Sequence, residues 1–291
     1  MSTFRRWIPV LVAALPVACR NPVPEQRISG SVPVAAAATP SLAGGPWIIR
    51  AVARRRSYVV EQRAVLTTRT DSSVRIDSVS SRAELEFTLS ASGAQLSGSV
   101  TAFRVQAPGR PPATPQGLVL PLAFAGVLSS SERQVVFTTP AVAAPCTSSE
   151  TGVLHALRDL WFRPPDTLRL RGAWEDTATF AVCRDGILLR ATSRRSFRVA
   201  SAVLQNGRIV VSVYRSTRSA LEGSGQQVGE PVEVTGLGSG ELVYELDPET
   251  GELFGARGTS VLDLTLKSRL RRQNARQATE TKIRPRSVDK P

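Results

Sequence analysis

The sequence predicts a mainly β protein, built on a large curved antiparallel sheet in meander or half-barrel form with one covering α-helix. Three observations predict it. Apolar and polar residues alternate with period two almost throughout 46–266. Turn residues punctuate that alternation at hairpin spacing. A single stretch, 149–162, carries helical spacing instead.

The chain has 291 residues, and its opening segment differs from the rest. Arg5 and Arg6 precede an apolar run from Trp7 to Ala18, the layout of a bacterial export signal over 1–18. The run is too short to span a hydrocarbon core, which takes about 20 residues. Cys19 follows Leu15-Pro16-Val17-Ala18 and resembles the lipidated cysteine of bacterial lipoproteins, with Pro16 standing where that family prefers Leu. The expectation is an exported protein of the periplasm or cell envelope, held to a membrane by lipid on Cys19. Plain secretion, with cleavage near Ala35–Ala38, is the alternative. Residues 19–45, rich in Pro, Ala, Ser and Gly, read as a tether with a random-coil reach of about 25–30 Å.

The β domain is placed at 46–266. Val79, Ser81, Ala83, Leu85, Phe87 and Leu89 form one face of a strand whose other face is Ser80, Arg82, Glu84, Glu86 and Thr88. Leu96 to Val105 reads as its return arm across Ala91-Ser92-Gly93. Pro108 to Pro115 is a proline-stiffened loop. Arg198–Leu204 and Arg208–Tyr214 flank Gln205-Asn206-Gly207, whose Asn-Gly pair predicts a type I′ turn. Asp247-Pro248-Glu249-Thr250-Gly251 predicts another turn before Leu253. Gly236-Leu237-Gly238-Ser239-Gly240 reads as a loop or bulge. In 149–162, Val153, Leu154, Leu157, Leu160 and Trp161 share one helical face, closed by Pro164-Pro165. That helix covers either a filled core or an apolar pocket, with Trp161, Phe162, Trp174 and Phe180 as candidate ligand lining.

The three cysteines leave Cys146 and Cys183 in the mature domain. In an oxidising envelope they are expected to pair, with two free buried thiols as the alternative. A loop of that length would contribute about 3–4 kcal/mol on the chain-entropy model.

The formal net charge is +13, concentrated at the C-terminus: 267–291 holds nine Lys or Arg against Glu280 and Asp289. Only three of the 37 basic residues are Lys, which points to codon bias rather than to selection for guanidinium chemistry, and an exported protein does not normally meet nucleic acid. The tail 267–291 reads as disordered, either merely solvated or attracted to anionic lipid or cell-wall polymer.

Catalytic signatures are sparse. His155 is the single histidine and has no evident partner. No metal site and no cofactor are indicated, and none of the Gly-x-Ser-x-Gly, His-Glu-x-x-His or P-loop patterns occurs. Glu175, Asp176 and Asp185 are the candidate carboxylates for a hydrolase. Asp247 and Glu249 carry oxygen ligands suited to calcium, but their turn needs no ion. The leading reading is therefore a non-catalytic envelope module, binding or structural. A carrier or sensor of a hydrophobic ligand, and a hydrolase, are the alternatives.

Pro165-Asp166-Thr167-Leu168-Arg169-Leu170-Arg171-Gly172-Ala173-Trp174, followed by Asp176-Thr177, resembles a stretch of uncharacterised bacterial envelope lipoproteins, where it lies between a helix and a sheet. Gly238–Glu241 through Gly251–Leu253 is similar to their final hairpin. The resemblance covers about a third of the chain and brings no catalytic residues. It implies a curved antiparallel sheet at the envelope, similar in shape to half-barrel lipoprotein carriers.

Overall fold

The computed structural model describes residues 45–50, 52–53, 55–70, 72–90, 94–128, 135–139, 153–154, 157, 164–184, 187–227, 230–269 and 272–286, with backbone alone for 139, 182–184 and 227. The expectations for the export signal, Cys19, the tether, Cys146, His155, Trp161, Phe162 and Asp185 lie outside the described residues.

Eleven strands form one antiparallel sheet, which is not closed into a barrel. In chain order they are β2 (Arg55–Arg69), β3 (Val74–Leu89), β4 (Gln95–Gln106), β5 (Leu122–Leu128), β6 (Val135–Thr139), β8 (Ala173–Arg184), β9 (Ile187–Gln205), β10 (Arg208–Gln227), β11 (Glu230–Leu246), β12 (Leu253–Lys267) and β13 (Arg272–Pro285). Two short strands, β1 (Trp47–Ile48) and β7 (Thr167–Leu168), pair separately. The spatial order is β6-β5-β4-β3-β2-β13-β12-β11-β10-β9-β8. Two meanders are thus welded where β2 meets β13, so the regions before and after 140–163 share a single sheet.

Local chemistry accounts for the hairpins. Asn206 and Gly207 both have positive φ, 50° and 75°, as a type I′ turn between β9 and β10 requires. Asp247 Oδ1 accepts from the Glu249 and Thr250 amides at 2.8 and 3.1 Å, which locks the β11–β12 turn.

Two expectations are corrected. Arg272–Pro285, read as part of a disordered tail, is a central strand paired on both edges. Its period-two pattern escapes notice because the inward positions Gln277, Thr279 and Thr281 are polar or small. Gly236–Gly240 is neither loop nor bulge but the middle of β11. These glycines leave room for the next strand: a Cβ on Gly236 would come within 2.5 Å of Leu264 Cδ2, and one on Gly240 within 2.9 Å of Ser260 Cβ.

Burial alternates along the strands and sorts them into two faces. One face carries two apolar clusters at opposite ends of the strands. In the first, the residues facing one another across the sheet run Phe103, Ala83, Val60, Ile283, Ala256, Tyr244, Val213 and Val199, all buried. Val153, Leu154 and Leu157, the described residues of the segment expected to be helical, are buried in this cluster. The second cluster gathers Ile187, Leu189, Ala191, Leu221, Val234 and Leu264. The core thus divides along the strand axis, not between the halves of the chain.

A polar belt separates the clusters. Arg195 Nε and Nη2 donate to Asp176 Oδ1 and Oδ2 at 2.6 and 2.9 Å, with side chains only 5% and 1% exposed. Arg215 Nη1 donates to the buried Tyr244 hydroxyl at 2.8 Å, and Ser219 Oγ to Ser193 Oγ at 3.1 Å. The charges tolerate burial because both carboxylate oxygens are satisfied by one planar guanidinium.

Candidate ligand-binding groove

The opposite face of the same strand segments is charged. Shifting the register by one residue turns every side chain through the sheet, so the row adjoining the first apolar cluster carries different chemistry. Arg104 faces Arg82, which faces Glu61, which faces Lys282, which faces Arg257. The row continues through Val243 and Tyr214 to Arg198. All of these residues line one groove of about 1420 Å³, joined by a second row that includes Arg63, Glu280 and Glu241. Strands β4 through β9 in spatial order contribute to it, eight strands in all.

Six cationic side chains, Arg63, Arg82, Arg104, Arg198, Arg257 and Lys282, stand against three carboxylates, Glu61, Glu241 and Glu280. Glu61 is already engaged: its Oε1 accepts from Arg82 at 2.8 Å and from Arg284 at 3.0 Å. The Arg284 hydrogen bond, reinforced by the charges of Arg284, Arg82 and Lys282, holds the Glu61 carboxyl below its usual range despite some burial. Arg82 also reaches Glu84 at 3.1 Å. Among the described residues Arg104 and Arg257 make no ion pair.

Burial, together with a hydrogen bond to the Glu241 carboxylate, pushes the Tyr214 phenol up from 10.0 to about 12. A raised folded-state value means a stability contribution fully present below pH 10.0 and lost as the pH climbs towards about 12. A spectrophotometric difference titration of wild type against Tyr214→Phe is expected to show this phenol ionising near pH 12. A midpoint at the ordinary tyrosine value would contradict the partly buried, carboxylate-flanked environment at this position.

The structure does not bring the other candidate residues together. Glu175 and Asp176 are neighbours in β8 and project to opposite faces. Glu175 pairs with Arg194 at 2.6 Å on the surface, whereas Asp176 is enclosed with Arg195. A shared acid/base site for these two is therefore excluded by the pleat. Trp174 stacks on Phe197 at 5.0 Å within the first apolar cluster, while Phe180 packs against the second. Six residues apart on one strand, they are separated by about 20 Å. Among the described residues no three His, Cys, Asp or Glu side chains converge as a metal site requires.

The groove residues were missed by sequence reading because they are scattered from position 61 to position 282 and meet only through register. The one available signal was an arginine at the polar position of an alternating strand, as at Arg82.

No protein-family model matches the chain, nor does any curated relative. Among solved structures, a DUF1329 family protein from Desulfovibrio piger ATCC 29098 aligns at 8% identity over 80% of this chain and 87% of its own, with a TM-score of 0.16. A loop L8 deletion mutant of OmpT, an outer membrane protein of Vibrio cholerae, aligns at 9% identity over 79% and 99%, with a TM-score of 0.17.

Proposed function

We propose that this chain is a non-catalytic binding module of the bacterial cell envelope, exported by its N-terminal signal, anchored through lipid on Cys19, and using the charged groove as its ligand site. The observation that carries the reading is the groove itself, in which six cations against three carboxylates line a concavity across eight strands. Such a surface attracts a polar anionic ligand and repels an acyl chain. The apolar face supports the same reading, because Trp174 is already stacked on Phe197 within a packed cluster. A helix over 149–162 closing that cluster and a disulfide between Cys146 and Cys183 belong to this picture. The burial of Val153, Leu154 and Leu157 supports the helix.

Native mass spectrometry of the full chain, extracted from the membranes of an exporting host in a mild detergent and freed of the micelle in the gas phase, tests the reading. The expected mass carries diacylglycerol on Cys19 and no second lipid, and Cys19→Ala is expected to release the protein from membranes. A stoichiometric non-covalent lipid would overturn the binding-module reading in favour of a hydrophobic carrier.

A further inference from the structure

The row that floors the groove holds more positive charge than the protein itself answers. Arg104 of β4, Lys282 of β13, Arg257 of β12 and Arg198 of β9 stand in it, and all four are exposed. Among the described residues none of the four makes an ion pair. Arg82, by contrast, is consumed, its three guanidinium nitrogens donating to Glu61 and Glu84. Glu61, the carboxylate of this row, is in turn shared between Arg82 and Arg284. In the neighbouring row Glu241 accepts the Tyr214 hydrogen bond, and Glu280 faces Arg63 directly across the strands. Lys282 and Arg257 are moreover direct cross-strand partners, an arrangement of like charges that destabilises a sheet until opposite charge is brought to it.

The spacing of the four describes their ligand. Arg104 lies three strands from Lys282 and Arg198 three strands from Arg257, about 14 Å each at the usual strand spacing, with about 5 Å between the central two. A single anion meets one of these stations, or the central pair. All four, over about 34 Å, are met together only by a chain that carries anionic groups at intervals and runs across the strands. At about 1420 Å³ the groove also exceeds the roughly 300–1,000 Å³ of small-molecule sites.

The rest of the lining favours sugar over peptide. Ser80, Gln106, Thr259 and Ser212 lie among the cations and offer donors and acceptors suited to hydroxyl groups. An extended peptide is recognised at a sheet through free main-chain groups and side-chain pockets. Here β3, β2, β13, β12, β11 and β10 are each hydrogen-bonded to a strand on both sides, and the aliphatic lining is Pro112, Ala200 and Val243. We propose that the groove binds a linear acidic polysaccharide laid across the strands, its anionic groups meeting Arg104, the Lys282/Arg257 pair and Arg198 in turn. The proposal rests on the reading of the groove as the ligand site. The stations read charge and spacing, so carboxylate and phosphate both suit them.

The test uses the full chain in a non-ionic detergent and fluorescently labelled oligogalacturonates of graded length, read by anisotropy. Affinity is expected to climb with length until the oligomer spans about 34 Å, and then to level off. The double variant Arg104→Gln/Arg198→Gln removes the two outer stations. It is expected to lose about fivefold per cation on the longest oligomer and nothing on one that reaches only the central pair. Arg208→Gln, at the β9–β10 turn and outside the groove, should bind as the wild type does. Dextran phosphates of matched lengths form a second arm. Either sugar polymer showing this pattern supports the proposal, and the comparison names the anion. Affinity independent of length in both arms, or unchanged in the double variant, would overturn it. Poly-L-glutamate binding as strongly with the same pattern would replace the polysaccharide by an acidic polypeptide, and the groove reading would stand. If the wild type binds none of the three polymers, that reading fails as well.

Discussion

Asp176→Ala is expected to destabilise the protein by about 3–5 kcal/mol, the usual consequence of leaving a buried charge without its partner. Arg195 has its guanidinium carbon 5.7 Å from the Phe197 ring centroid and is almost fully enclosed, so it cannot swing out to water without opening the packing around it. Asp176→Asn should be destabilising as well, since the amide keeps the shape but cannot neutralise the guanidinium. The double variant Asp176→Leu/Arg195→Met is expected to recover most of the loss, because neither charge then has to be desolvated. Urea unfolding of the four proteins provides the check. A single-variant cost under about 1 kcal/mol, or a double variant no better than the singles, would show that the pair is not energetically enclosed.

Ending the chain at Lys267 is expected to abolish cooperative unfolding altogether. β13 pairs along nearly its whole length with β12 on one side and β2 on the other. Its removal leaves two long facing edges of unpaired amides and carbonyls, each costing about 1–3 kcal/mol where it stays buried. It also strips Ile283 from the first apolar cluster and Ala275 from the second. Near-UV circular dichroism and the urea transition are the measurements. A truncated chain with a wild-type transition would mean that β13 is an appendage, and the assignment of the groove to β4 through β9 would fall with it.

How much of this was legible beforehand depended on whether a pattern was local. The alternation of Ala83, Leu85 and Phe87, the Asn206-Gly207 turn and the Asp247 turn are written within a few residues each, and all three appear in the structure as the residues imply. β13 was hidden because its inward residues, such as Thr279 and Thr281, cross the polar stretch between the two apolar clusters, so the usual hydrophobic cue is missing there. The β11 glycines misled for a related reason. Taken alone Gly236 and Gly240 signal a break, and only the neighbouring Leu264 and Ser260 explain their small size. The groove as an assembly was not legible locally: Arg82, Lys282 and Arg257 become neighbours through a pairing between β2 and β13 that no local window contains. The abundance of arginine elsewhere in the chain masked them further.

The weld between β2 and β13 has a topological meaning as well. Pro285, at the end of β13, stands opposite Tyr58, near the start of β2. The sheet read from β8 through β13 and on through β2 to β6 is therefore a single uninterrupted up-and-down series, every step a hairpin except this one. In cyclic order the eleven strands have no crossover at all. The architecture is a ring permutation of the plainest meander, its sheet open between the edges β6 and β8 and its chain ends at β2 and β13, and its charged trough straddles the seam where a connecting turn would otherwise be.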